Sequence, residues 1–278
     1  VIVFFADFGE GGTWRLLSRF KDLPVSLYLC YPPSAVPHRY RSFVRLSWHR
    51  RAKRVFADAA WVSKEAEQLF GRSIPVLPPG TDPERFRPHA ALRAAMRQRY
   101  GFTDQDVVLL NVSELECRKG PRRVVEAVHR LRDRFPNLRY FILGTGEDEP
   151  VLRRLVHGRG LGEQVIFGGR TTHLEAYYNL ADIFVMLPEA EANSVACHEA
   201  MSSGLPVVAS DTGGFPESVP SQAGLFAAPD NAAEIDAALA RLIEDPSLRR
   251  SMGEAGRAHI LANCTWDQAA DRFLDLVA

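Results

Sequence analysis

The chain is poor in cysteine: four in 278 residues, Cys30, Cys117, Cys197 and Cys264, widely spaced and without a CxxC pair. That pattern argues against a disulfide framework and against a zinc site, and it points to a reducing, cytoplasmic compartment. Net charge is missing too, since 34 Lys and Arg balance 34 Asp and Glu. No global field is left to recruit nucleic acid, so an electrostatic partner has to be met by a local patch. No apolar run approaches the roughly 20 residues that a spanning helix needs. No signal-peptide pattern precedes the first apparent strand, VIVFF, and Val1 falls inside that strand, as in a chain trimmed at its N-terminus. The eight histidines stand beside no cysteine or acid at metal-ligand spacing, so neither a metal nor another cofactor is expected. Internal repeats and low-complexity tracts are also lacking. What is left is a composition, 46% hydrophobic and 24% charged, with room for two α/β domains or one large one.

Apolar runs of strand length recur at Val1–Phe5, Val25–Leu29, Ile74–Leu77, Val107–Val112, Tyr140–Leu143, Val165–Phe167, Ile183–Leu187 and Leu205–Ala209. Amphipathic helical patterns separate most of them, among them PRRVVEAVHRLRDRF (121–135), with Pro121 suited to a first helical position, and EPVLRRLVHGRG (149–160), ending in glycine. Such alternation predicts parallel βαβ units in a doubly wound α/β architecture. The pattern pauses at PPGTDPERFRP (78–88), whose four prolines and glycine suit a domain joint near Pro88.

In doubly wound folds ligands lie beyond the carboxyl ends of the strands. The strand VVLLNV leads into SELECRKGPRR, where Lys119 and Gly120 precede a helix start at Pro121. A cation beside free helix-terminal N–H groups suits a phosphate or diphosphate, although solvated lysines flank many helices. YFILGTGED (140–148) contains GTG but lacks the third glycine of a dinucleotide fingerprint, so a tight strand-to-helix turn is the better reading. In EAEANSVACHEAMSSGLPVVASDTGG (189–214), Glu191 precedes a helix that Asn193 or Ser194 can cap, and Glu199 falls inside it. Two acids so spaced can accept hydrogen bonds from adjacent sugar hydroxyls, while acids near a helix start are also common for dipole reasons alone.

Taken in order, these segments resemble the family 4 glycosyltransferases, retaining enzymes of the GT-B fold with two Rossmann-like domains facing a cleft. Glu191 and Glu199 match the family's E-x7-E motif, and WVSKEAEQLFG (61–71), LPPGTDPERFRP (77–88), Lys119-Gly120, GTGED (144–148), VIFGGR (165–170), YYNLADIFVMLPE (177–189), GLPVVASDTGG (204–214), GLFAAPDN (224–231) and the closing TWDQAADRFLDLV match its surroundings. The resemblance covers nearly the whole chain. It implies a partial N-terminal acceptor-side domain at 1–88, a C-terminal nucleotide-sugar-binding domain at 89–262, and a helix at 263–278 crossing back towards the first. It further implies transfer of a hexose from a nucleoside diphosphate sugar to a glycan, lipid-linked or small-molecule hydroxyl, without a metal. Glu199 would hold the donor ribose; Glu191, with the backbone N–H groups of Asn193, Ser194 and Val195, would fix the transferred sugar; Lys119 would neutralise the diphosphate; Gly169 and Arg170 would border the base.

Three positions depart from the family pattern. Ser113-Glu114 stands where the family has Gly-Arg, so an anion replaces a cation. At about 4 Å and an effective dielectric near 20 one charge pair is worth roughly 4 kcal/mol, which leaves Arg118 to take over, the loop to shift, or diphosphate binding to weaken. Cys30 stands where a histidine often contacts the donor sugar, and Glu191-Ala192-Asn193-Ser194 replaces E-G-F-G. These departures keep open a non-catalytic sugar-nucleotide-binding or partner subunit, and a nucleotide-sugar epimerase of the same fold. The N-terminal half lacks the family's first strand and glycine-rich loop, and DFGEGG (7–12) reads as a later loop. Finally, HRYRSFVRLSWHRRAKR (38–54) carries six arginines and a lysine among Phe43, Val44, Leu46 and Trp48. As one amphipathic helix it would either touch the inner face of a membrane or pack on the N-terminal sheet.

Overall fold

The computed structural model describes residues 2–6, 25–30 and 52–278. They group into two units. The smaller takes residues up to Gly80, Glu191–Asn193 and Trp266–Ala278, and the larger takes Thr81–Ala190 and Ser194–Thr265.

In the smaller unit β1 (Ile2–Ala6), β2 (Val25–Leu29) and β3 (Ala52–Ala57) pair in parallel in that order, followed by α1 (Ala60–Phe70). β3 corrects the single-helix reading of 38–54, because Ala52 to Arg54 already belong to a strand; residues 38–51, like DFGEGG, lie outside the described residues. The strand expected at Ile74–Leu77 is only a bridge between Ala57 and Val76. Pro75 has no N–H to donate, and Pro78 and Pro79 stop the segment directly afterwards. Phe56 and Tyr28 pack with Leu77 and Phe273 of the C-terminal helix, and Tyr28 donates to the Leu77 carbonyl (2.7 Å).

The larger unit opens with α2 (Ala90–Tyr100) and then alternates: β4 (Val107–Val112), α3 (Pro121–Leu131), β5 (Leu138–Leu143), α4 (Glu149–Gly158), β6 (Val165–Gly169), α5 (Leu174–Leu180), β7 (Ile183–Met186), α6 (Val195–Ser202), β8 (Val207–Ser210), α7 (Phe215–Ser218) and β9 (Gly224–Ala227). α8 (Ala232–Glu244) and α9 (Pro246–Asn263) follow, and α10 (Trp266–Val277) belongs to the smaller unit. Among the described residues, six parallel strands form one sheet in the order β6-β5-β4-β7-β8-β9. This is the doubly wound order in which the chain reverses direction between its first and fourth strands, β4 and β7. Alternation along the strands supplies a core for each face. Leu109, Tyr140, Ile142, Val185 and Val208 pack with α3, α4 and α8, and Val108, Leu110, Phe141, Phe184 and Val207 pack with α5 and α6.

α3 follows from its residues. Pro121 occupies the first turn, Val124, Val125, Val128 and Leu131 form the buried stripe, and the arginines lie elsewhere. The helix ends at Leu131 and not at Phe135, because Pro136 keeps Phe135 out of helical conformation. β9 went unread because its four residues, GLFA, carry little strand signature. Between β4 and β7 the backbone ladder stops at Leu110 and Phe184, and beyond it the buried Asn111 donates its amide to the Val185 carbonyl (3.0 Å). At the other end of these strands Asp182 accepts from Val108 N (2.8 Å) and pairs with Arg93 (2.6 Å) and Arg97 (3.2 Å). The reversal point is thus clamped by Asp182 at one end, and at the carboxyl end the backbone ladder gives way to the Asn111 side chain.

Candidate functional site

The loop after β4 runs from Ser113 to Gly120 and contains a 3-10 turn, Cys117–Lys119. Gly120 closes it at φ +78, and a Cβ there would lie 1.8 Å from the Leu187 carbonyl oxygen. Only glycine lets Lys119 come this close to the end of β7. The loop after β5 locks onto the same segment. A Cβ on Gly144 would meet Ser113 O at 1.8 Å, and one on Gly146 would meet Leu115 O at 2.4 Å, while Leu115 N donates to Thr145 O, Asp148 N to Leu115 O (3.0 Å) and Cys117 N to the Asp148 carboxylate (2.5 Å). GTGED therefore serves close packing of two loops, with its acid on the 3-10 turn.

Charge on this loop is mixed. Lys119 is half-buried, Glu114 is exposed, and Arg118 is paired with Glu116 (Nε to Oε2, 2.6 Å). The loop after β7 is joined to it by Glu189 N donating to Arg118 O (3.0 Å). Arg123 of α3 reinforces that joint, donating to Leu187 O (3.3 Å) and Pro229 O (2.8 Å).

α6 starts with Ser194 as its N-cap, one of the two caps expected. Ser194 is buried, with Oγ accepting from Cys197 N (3.3 Å) and lying 3.2 Å from Met186 Sδ, so its hydroxyl is occupied inside the fold. Its backbone N–H and that of Val195 have no acceptor among the described residues. Glu191 and Asn193 precede this helix in the chain and fall in the smaller unit, where Asn193 Nδ2 donates to Asp58 O (3.2 Å). Asn193 Oδ1 is buried with no hydrogen bond among the described residues.

Glu199 stands in the second turn of α6, and its surroundings come from elements far away in sequence. Tyr178 of α5, fully buried against Phe86 and Phe184, donates its hydroxyl to Glu199 Oε2 (2.8 Å). Glu199 Oε1 has no partner among the described residues. Burial pushes the Glu199 carboxyl above its ordinary value, the Tyr178 bond and the Arg85 charge pull it back, and Glu175 adds to the rise. Arg85 itself is held by Glu175 (3.0 Å) and the Thr172 carbonyl (2.7 Å), over the Phe86 ring. Gly169 takes φ +65 and its carbonyl accepts from Gly144 N (2.8 Å); Arg170 beyond it is exposed. Cys30 directly follows β2 in the smaller unit and is in no disulfide among the described residues. Sequence reasoning missed Tyr178, Arg85 and Asp148, and the only trace of the first was a pair of tyrosines before ADIF. Among the described residues no group of three metal-ligating side chains is found, and no helix is long and apolar enough to cross a membrane.

A doubly wound sheet with a half-sequestered carboxylate, a glycine-anchored lysine and open helix N–H groups at its reversal point defines an α/β protein of the GT-B class. The chain belongs to the family described as glycosyl transferases group 1, whose model matches residues 93–259. It is 34% identical over 215 residues to a GDP-mannose-dependent alpha-(1-6)-phosphatidylinositol monomannoside mannosyltransferase of Mycobacterium tuberculosis, covering 74% of this chain and 56% of that protein. It is 31% identical over 242 residues to a D-inositol 3-phosphate glycosyltransferase of Streptomyces bingchenggensis, covering 82% and 53%. The chain thus spans about half the length of the curated relatives it matches. Among solved structures it is similar to Anabaena Alr3699/HepE in complex with UDP (TM-score 0.84, 19% identity, 96% of this chain and 74% of that one). It is likewise similar to a sucrose-phosphate synthase from Thermosynechococcus elongatus (TM-score 0.82, 22% identity, 95% and 69%).

Proposed function

We propose that this chain carries the donor site of a retaining hexosyltransferase, which moves a hexose from a nucleoside diphosphate sugar to a hydroxyl of a glycan, lipid-linked or small-molecule acceptor. The observation that carries this reading is Glu199. Tyr178 holds one of its oxygens and the other is open, so the carboxylate is ready to accept hydrogen bonds from the vicinal hydroxyls of a ribose. From a ribose placed there, the diphosphate would extend to the reversal point, where Lys119 supplies a cation. The N–H groups of Ser194 and Val195 would serve the transferred sugar. Gly169 and Arg170 would border the base.

The chemical demand on such a site is electrostatic. The bond between the sugar C1 and the diphosphate oxygen breaks with its electron pair leaving on the nucleotide. The acceptor oxygen bonds to C1 from the same face, and its proton passes to the departing diphosphate. Lys119 and the helix N–H groups stabilise the charge that develops, so the reading needs no metal from the protein. GDP-mannose is the first donor to test, because the relative from Mycobacterium tuberculosis is named for it. Titration with GDP, UDP and ADP, then transfer assays with and without EDTA and determination of the product's anomeric configuration, check the reading. Absence of nucleotide binding at millimolar concentration sinks it. The basic stretch 38–54 supports a lipid-linked acceptor at an anionic surface, to be checked by sedimentation with anionic vesicles.

A second reading, a subunit that binds the sugar nucleotide without turning it over, is favoured by Glu114. It is an exposed carboxylate on a loop that Gly144 and Gly146 pin in place, so the loop cannot shift freely to remove it. Binding of donor with neither hydrolysis nor transfer would decide for that reading.

A further inference from the structure

Glu199 meets a neighbour whose arrangement goes beyond packing. The Tyr178 ring is fully buried between Phe86 (centroids 5.6 Å apart) and Phe184 (6.0 Å), so its hydroxyl has one address. That hydroxyl faces two acceptors, Glu199 Oε2 at 2.8 Å and the Ala196 carbonyl at 3.3 Å, and it has a single proton to give. The shorter contact, to a carboxylate, is the stronger one when Glu199 is ionised. We propose that Tyr178 is a positioning residue for the donor site: its hydroxyl fixes Oε2 of Glu199, leaves Oε1 for the ribose diol, and by donating to the carboxylate favours its charged, hydroxyl-accepting form. This inference rests on the donor reading above and adds the residue that makes Glu199 competent for it.

The other charged groups around Glu199 do not duplicate this task. Arg85 acts on Glu199 through its charge, with Nε and Nη2 bonded to Glu175 and Nη2 also to Thr172 O. Glu175 opposes ionisation of Glu199. Arg257 of α9, the helix packed on α6, turns to the carbonyls of Phe86 and Ser202. Tyr178 itself stays a phenol across the working range, since burial and then the Glu199 charge hold it well above its usual value. It is therefore a donor that never titrates, aimed at an acceptor that does.

Tyr178→Phe keeps the ring and deletes only the O–H. Carbon-13 carboxyl titration of Glu199, assigned by its loss in Glu199→Gln, reads the effect directly and needs no ligand. The expected result is an upward move of the Glu199 titration by about one pH unit in Tyr178→Phe. The acid limb of nucleotide affinity, measured with GDP and UDP, should move with it, giving up to about tenfold weaker binding between the two midpoints. Biosynthetic 3-fluorotyrosine, a stronger donor in the same shape, moves the Glu199 titration the opposite way and keeps the test available should Tyr178→Phe fold poorly. An unmoved Glu199 titration in folded Tyr178→Phe overturns the assignment whatever the nucleotide does. A titration that moves while nucleotide affinity ignores both pH and Glu199→Gln leaves the Tyr178–Glu199 coupling standing and overturns the donor role of Glu199.

Discussion

The loops after β4 and β7 meet at one reversal point but are built on opposite plans. On the α6 side a single carboxylate is drawn out of water, fixed by a buried tyrosine and left with one open oxygen. On the β4 side the backbone is rigid, through Gly120, Gly144 and Asp148, while the charges are of mixed sign: Glu114 is exposed, Lys119 half-buried, and Arg118 is paired with Glu116. The comparison teaches that the Glu199 end owes its character to side chains, and the Lys119 end owes its character to backbone geometry. Recognition of a nucleoside should therefore survive changes of charge at 114–119 better than it survives loss of Glu199.

The largest effect that would break this contrast is expected from Gly120→Ala. Positive φ and overlap with Leu187 O together should cost on the order of 3 kcal/mol, read as a lower melting temperature and loss of nucleotide binding; an unchanged melt would show that the loop is not anchored as described. Glu199→Ala should weaken GDP or UDP binding by about 30-fold, on the order of 2 kcal/mol, without unfolding the chain, as followed by calorimetry. Glu114→Arg sharpens the other side. Reversal of an exposed charge on a fixed loop should strengthen diphosphate binding by about tenfold at low salt and by less at high salt. If affinity falls instead, Glu114 contributes to the site.

The smallest effect comes from pH. The folded Glu199 carboxyl titrates above its unfolded value, so the folded state holds that proton more tightly. Ionised Glu199 then penalises stability above the folded pKa, and the penalty disappears as pH falls below the unfolded one. Glu199→Gln should accordingly raise the melting temperature slightly at neutral pH, with the gain fading in acid. Nucleotide affinity should run the other way, full above the raised pKa and declining below it, because ribose hydroxyls donate more strongly to the carboxylate than to the protonated acid. A mutant that loses stability at neutral pH would show that the carboxylate is held for structure.

Much of this was legible in residues. Alternating apolar runs announced the doubly wound sheet, while the seven-residue gap between Glu191 and Glu199 and the Lys119-Gly120 pair before Pro121 drew attention to the loops that follow β7 and β4. What escaped did so for physical reasons. Tyr178 and Arg85 reach Glu199 across 21 and 114 positions of sequence, distances over which local patterns carry no information. Ile74–Leu77 has strand composition, but Pro75 brings no N–H with which to extend a ladder. GTG lacks the third glycine of a dinucleotide fingerprint, and its service to the neighbouring loop is visible only where Gly144 meets Ser113.

That meeting has a practical consequence. Segments 113–120 and 144–148 interdigitate so tightly that they behave as one cassette: an insertion in either would collide with the other, and neither can be exchanged alone. Anyone moving the donor specificity of one relative onto another by loop transplantation should carry both segments together, and length variation in nature should be found in the loops that this cassette leaves untouched.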